Sequence, residues 1–135
     1  AEREGADRGA VTAMPVVVAP RTPLVFREWH PGVDLAMGAL DIPYPKDSRE
    51  VVPDRVLLPM NGWDGEGYRL GYGAGFFDRT LASYAKRPFV IGVTFELARM
   101  DTVKPQSWDI PVDCVLTERG LYRRGGDGAL SFEGA

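Results

Sequence analysis

The sequence is poor in the side chains that most often carry crosslinks or proton transfer. Its 135 residues include one cysteine, Cys114, and one histidine, His30. A single cysteine excludes an internal disulfide framework. Its place in the apolar run Cys114-Val115-Leu116 points to a core thiol rather than a nucleophile. His30 stands in His30-Pro31-Gly32 with no carboxylate pattern around it, so a surface-loop histidine is expected rather than a general base. Long apolar runs are lacking too. None approaches a membrane span and no signal-peptide pattern is seen, so a cytoplasmic location without membrane contact is expected. Positive charge is not in excess: the net charge of −3 leaves no basic footprint and argues against nucleic acid as a partner. The length and the 44% hydrophobic content fit one domain, residues 1–135, with a real core.

Glycine, by contrast, is plentiful, and three glycines alternate with other residues in Arg69-Leu70-Gly71-Tyr72-Gly73-Ala74-Gly75-Phe76-Phe77-Asp78. After it, apolar residues fall at Phe77, Leu81, Tyr84 and Ala85, the spacing of a helix. Before it, Val56-Leu57-Leu58 reads as a short buried strand. A strand, a loop ending in glycines and a helix make an anion site, because the first helical N–H groups lack partners and glycine lets a ligand approach the backbone. The plain alternative is a tight strand-to-helix turn. A turn does not require three alternating glycines flanked by Arg69 and Asp78. The spacing is neither G-x-G-x-x-G nor a P-loop.

Along the chain, Met14 with Val16-Val17-Val18 and then Leu24-Val25-Phe26 predict a pair of strands around the turn Pro20–Pro23. Leu35–Leu40 predicts a helical turn, and Asp41–Pro45 an extended segment. Phe76–Ala85 is the expected helix. Phe89–Phe95 and Cys114–Thr117 are expected core strands beside Val56–Pro59. Leu121-Tyr122-Arg123 is a candidate edge strand, and residues 125–135 read as a loose tail. Strands alternating with helical segments predict α/β architecture, a three-layer α/β/α sandwich with a mainly parallel sheet and ligands at the carboxyl ends of its strands.

The stretch Gly67–Arg79 closely resembles the signature of the 5-formyltetrahydrofolate cyclo-ligase (5,10-methenyltetrahydrofolate synthetase) family. Two other segments support the resemblance. Leu57-Leu58-Pro59 with Trp63-Asp64 resembles the family's strand ending in proline and its aromatic-Asp pair. Asp109-Ile110-Pro111-Val112-Asp113-Cys114-Val115-Leu116-Thr117-Glu118 resembles its D-x-P-x-D-x-x-[VL]-T-E segment. The resemblance runs from about Met14 to about Gly120, and its implied fold is of the CoA transferase-like kind. The family's members normally begin with a helical region carrying a Lys/Arg pair that grips ATP phosphates, and nothing in Ala1–Gly9 matches it. The expectation is therefore a C-terminal part of a longer protein, poorly active or inactive by itself.

The resemblance implies ATP- and Mg²⁺-dependent closure of 5-formyltetrahydrofolate to 5,10-methenyltetrahydrofolate, by a monomer acting on small molecules. The implied nucleotide site is Arg69, Leu70, Gly71, Tyr72, Gly73, Ala74, Gly75, Phe76 and Phe77. Arg69, Tyr72 and Phe76 are the implied catalytic residues, and Asp78 and Asp113 the implied magnesium ligands. Each has an ordinary alternative: Asp78 suits a helix N-terminus by its dipole, Asp113 ends a loop, and Arg69 is a surface cation. Ala74 stands where the family usually has Gly or Lys, and Phe76-Phe77 replaces a tyrosine pair, so an amine and two hydroxyls are lost while aromatic faces remain. The family segment that Ile42–Pro45 resembles lies beside the folate pocket, which implies a role for Tyr44 there; its ordinary alternative is simple packing under the loop. The alternative function is a nucleotide- or folate-binding protein of the same fold without catalysis, or an inactive fragment.

Overall fold

The structure, a computed structural model, describes residues 11–38, 43–70 and 75–134. The chain divides into two compact units, Ala1–Pro53 with Ala74–Ala85, and Asp54–Gly73 with Lys86–Ala135.

In the first unit, β1 (Thr12–Val16) and β2 (Val25–Trp29) form the expected hairpin, paired antiparallel from Val16–Val25 to Thr12–Trp29. The first strand lies earlier than its valines suggested, and Val18 is exposed beyond its end. Leu35–Met37 (β3) is a strand, not the helical turn expected there; it pairs antiparallel with β4 (Pro43–Pro45). Pro43 and Pro45 hold an extended backbone that a neighbour can pair with, whereas one isolated turn of helix fixes three residues for a single hydrogen bond. The short β5 (Glu50–Val51) joins the other edge of β2.

The only α-helix among the described residues, α1 (Phe76–Ser83), belongs to the same unit. Gly75 precedes it at φ 67, a left-handed conformation that glycine adopts without a Cβ penalty. Thr80 and Leu81 are its buried residues. The Thr80 hydroxyl accepts the Leu24 N–H at 2.7 Å and donates to the Phe76 carbonyl at 2.6 Å, tying the helix to the start of β2.

The second unit holds a five-stranded sheet in the order β12-β11-β10-β8-β6. Here β6 is Arg55–Pro59, β8 is Phe89–Val93, β10 is Cys114–Thr117, β11 is Gly120–Arg124 and β12 is Leu130–Gly134. Between β6 and β8 lies β7 (Trp63–Asp64), which pairs in parallel with β9 (Arg99–Met100). The three expected core strands are neighbours, with β8 paired in parallel to both β6 and β10. The sheet as a whole is mixed rather than mainly parallel, because β10–β11 and β11–β12 are antiparallel. The architecture is α/β with a mixed sheet.

Two sequence expectations change here for one reason. Leu121–Arg123 is not an edge, and residues 130–134 are not tail: β12 covers β11. The turn between them runs through Gly126-Asp127-Gly128, with Gly128 at φ 86, the Gly125 N–H on the Ala129 carbonyl and the Asp127 carboxylate accepting the Ala129 N–H. Asp-Gly between short apolar segments is a hairpin signal, masked in the sequence by the abundance of glycine around it.

One face of this sheet is closed. Val56, Leu58, Val90, Val115 and Tyr122 are buried, and Met60 lies so close over Gly92 that a Cβ there would overlap its side chain. Trp63, wholly buried, packs on Tyr122 with ring centroids 5.3 Å apart. The other face is apolar and open: Leu57 is 50% exposed, and Phe89, Val93 and Leu116 are each about two-fifths exposed. Among the described residues no helix is long and apolar enough to cross a membrane.

Replacing Thr80 by valine keeps the shape but leaves the buried Leu24 N–H without its acceptor. The expected cost is about 1–3 kcal/mol, read as a lower urea midpoint; an unchanged midpoint would show that the Thr80 link does not hold the helix.

Candidate active site and its two motifs

The loop that leads into the glycine stretch is wound on a buried carboxylate. Asp64, 3% exposed, accepts the N–H groups of Glu66 and Tyr68 through Oδ1 at 3.0 and 3.2 Å, and that of Val103 through Oδ2 at 3.1 Å. The loop doubles back on itself: the Asp64 N–H donates to the Tyr68 carbonyl, and the Leu70 N–H to the Gly62 carbonyl at 3.0 Å. Gly62 permits this approach, since a Cβ would collide with the Leu70 side chain. Leu70 thus leaves the loop beside Gly62, just past the carboxyl end of β6.

The tip of the loop joins the second motif. The Val112 N–H donates to the Gly67 carbonyl at 2.9 Å. Gly67 is at φ 85, and a Cβ on it would come within 3.0 Å of the Val112 oxygen. The Arg69 guanidinium donates to the Ile110 carbonyl at 2.7 Å. The structure therefore brings Arg69 and the Asp109–Glu118 segment together. Of the other implied nucleotide residues, Leu70 is partly exposed at the carboxyl edge of β6, Gly75 caps α1, and Phe76 and Phe77 are half-buried in its first turn with Asp78. Gly71, Tyr72, Gly73 and Ala74 lie outside the described residues.

Asp113 has a definite place. Its Oδ2 accepts the Val90 N–H at 2.8 Å, and Oδ1 lies 3.4 Å from the Arg87 guanidinium. It immediately precedes β10 and faces the start of β8, so it stands at the amino edge of the parallel strands. The second motif reaches the carboxyl edge only through Thr117 and Glu118. Cys114 is buried, as expected, and burial pushes its thiol above the ordinary value. His30 is exposed, as expected.

Sequence reasoning did not single out Glu96. Its carboxylate accepts the hydroxyls of Tyr122 and Thr117, each at 2.7 Å, with the Arg119 guanidinium 3.8 Å away. The Tyr122 hydrogen bond is the largest influence holding this carboxyl below its ordinary value. Burial and the same bond raise the Tyr122 hydroxyl. No motif marks Glu96; its partners lie more than twenty residues away.

The sequence profile of the 5-formyltetrahydrofolate cyclo-ligase family matches residues 6–118. The chain belongs to that family. The 5-formyltetrahydrofolate cyclo-ligase of Escherichia coli K12 is 36% identical over 107 residues, covering 73% of this chain and 58% of that protein. The solution structure of Aquifex aeolicus 5,10-methenyltetrahydrofolate synthetase superposes with a TM-score of 0.70 at 30% identity, over 87% of this chain and 60% of that one. The Mycoplasma pneumoniae synthetase structure, 21% identical with a TM-score of 0.61, shares the fold. This family member thus spans less than two thirds of the length of these relatives.

As for magnesium, no cluster of three or more His, Cys, Asp or Glu fit for a metal is found among the described residues. The oxygen chemistry of Asp78 and Asp113 suits a hard cation. At Asp113 the oxygen such a cation would share is Oδ1, which faces Arg87.

Asp64→Asn leaves an amide NH₂ or a single oxygen to serve three backbone donors. The expected loss is about 1–3 kcal/mol in urea unfolding; an unaltered midpoint would show that the Asp64 carboxylate does not hold the loop. For Glu96 the folded-state value is depressed. Its contribution to stability is therefore present above the unfolded-state value and lost as pH falls through the folded one. Melting temperatures from pH 7 to pH 3 should show Glu96→Gln less stable at neutral pH and with a shallower acid decline than the parent; parallel curves would contradict this.

Proposed function

We propose that this chain carries out ATP- and Mg²⁺-dependent conversion of 5-formyltetrahydrofolate to 5,10-methenyltetrahydrofolate, with release of ADP and phosphate. The observation that carries the reading is the junction of the two motifs, the Arg69 guanidinium on the Ile110 carbonyl and Gly67 on Val112. It gives the glycine stretch a fixed start and one cation beside it. The names of the relatives support the reaction.

In this reading the formyl oxygen attacks the γ-phosphorus and ADP leaves. N10 then closes on the activated formyl carbon and loses its proton as the C–O bond breaks and phosphate departs. Such a reaction needs positioning and charge neutralisation more than proton transfer. Backbone N–H groups from Gly71, Gly73, Ala74 and Gly75 and the Arg69 guanidinium are the proposed phosphate ligands. Tyr72 and Phe76 are proposed to orient the reacting groups. Asp78 and Asp113 are the proposed magnesium ligands; the ion, when bound, neutralises phosphate charge. The proposal includes a cytoplasmic monomer.

The three-layer α/β/α arrangement belongs to the same proposal. Parallel strands are ordinarily covered on both faces, and the open face of β6, β8 and β10 presents Leu57, Phe89, Val93 and Leu116. A solved structure of the polypeptide at its natural length with this face bare would overturn that part.

The test of the reaction is methenyl formation followed by absorbance, in the polypeptide at the length the cell makes. Arg69→Ala should lower kcat/KM by roughly 10- to 100-fold, the loss of one charge-assisted contact of about 1.5–3 kcal/mol. MgATP and folate binding without turnover in the parent would favour the non-catalytic binder instead.

A further inference from the structure

The segment Ile110–Asp113 belongs to no strand, since β10 begins only at Cys114. Pro111, in its middle, has no N–H to give to a ladder. What fixes the segment is the grip on its carbonyls. The Arg69 guanidinium donates to the Ile110 carbonyl at 2.7 Å. The next carbonyl along, that of Pro111, accepts a hydrogen bond from the Arg87 guanidinium. Resting on the function proposed above, we propose that Arg87 is a positioning residue for that reaction. By holding Pro111 it holds the Ile110 carbonyl, and through that carbonyl the guanidinium of Arg69, the proposed phosphate ligand.

Arg87 is itself anchored to the sheet. It stands two residues before β8, and a second nitrogen of its guanidinium lies 3.4 Å from Asp113 Oδ1. Asp113 is in turn bound to β8 twice: its Oδ2 accepts the Val90 N–H at 2.8 Å, and its own N–H donates to the Val90 carbonyl at 2.9 Å. A planar, forked cation is suited to span a carbonyl and a carboxylate in this way, where an ammonium would serve as a single point charge. Between Pro111 and Asp113 the wholly buried Val112 gives its N–H to the Gly67 carbonyl at 2.9 Å. Ile110, Pro111, Val112 and Asp113 are thus each held by a different partner, and the two arginines take adjacent carbonyls.

The plainer role for Arg87 is a surface ion pair. The side chains of Arg87 and Asp113 are 38% and 28% exposed, and pairs so placed contribute little to stability. The hydrogen bond to Pro111 gives Arg87 a different kind of leverage. Without it the Pro111 carbonyl is left to water, and the Ile110 carbonyl, one peptide away, loses its neighbour's support. A displacement of about 1 Å passed on to a substrate-binding group can cost roughly 100-fold in rate. Loss of Arg87 should therefore be felt in turnover more than in folding.

The experiment is a double-mutant cycle in the polypeptide at the length the cell makes, read by methenyl absorbance and, separately, by amide hydrogen exchange. Arg87→Ala should lower kcat/KM about 5- to 100-fold when Arg69 is present. In an Arg69→Ala background it should lower it by less than about 2-fold, because residues that act through one another are not additive. Exchange of the Val112 amide, which lies in the same segment, should quicken about 10-fold or more in Arg87→Ala. The amides of Val115 and Tyr122, in the sheet, should exchange as in the parent. Equal losses of kcat/KM in the two backgrounds would mean that Arg87 acts by another route, such as Asp113, and would overturn the proposal. Unchanged Val112 exchange would overturn it too. A parent that forms no methenyl product sinks the reaction instead, and Val112 exchange then decides by itself whether Arg87 holds the segment.

Discussion

The Asp64 carboxylate is the acceptor around which the second unit's approach to the glycine stretch is arranged. Three backbone N–H groups, from Glu66, Tyr68 and Val103, converge on it. Meeting all three from one buried side chain closes the loop between β6 and Leu70 and ties it to the segment after β9. Once that loop is closed, Trp63 is held over Tyr122, Gly67 against Val112, and Arg69 against Ile110. Remove the acceptor and each of these contacts loses the geometry that supports it.

The parallel pairing of β8 with β6 and β10 separates two kinds of chemistry. At the amino edge, Asp113 and Arg87 secure the start of β8. At the carboxyl edge, Phe95, Thr117 and Glu118 surround an open cleft. One motif, Asp109–Glu118, supplies residues to both edges because a four-residue strand lies in its middle. Its first half therefore serves the junction with Arg69, and its last three residues serve the cleft.

Much of this was legible in advance. The apolar runs at Val56, Phe89 and Cys114 marked the three parallel neighbours, since a short, continuous apolar segment bounded by turns suits a sheet interior. The glycine stretch and the Asp109–Glu118 segment marked the family. What misled was composition read without pairing. Leu35–Met37 looked helical because its apolar residues are consecutive, yet the prolines opposite made it a strand. Residues 130–134 looked like tail because glycines surround them, yet the Asp127-Gly128 turn folds them onto β11. Leu57, Val93 and Leu116 looked like core, yet they lie on the sheet's open face.

The sequence by itself determined the family, the three neighbouring core strands, the helix after Gly75 and the burial of Cys114, because each is written in local pattern or in a contiguous motif. Only the tertiary structure decided that Asp113 belongs to the amino edge, that Asp64 binds three distant or turn-separated amides, and that Glu96 gathers Thr117, Tyr122 and Arg119. Those facts depend on strand direction and register. A strand's direction decides which of its ends meets a neighbour, and a hydrogen bond across twenty or more residues leaves no trace in the spacing of either partner.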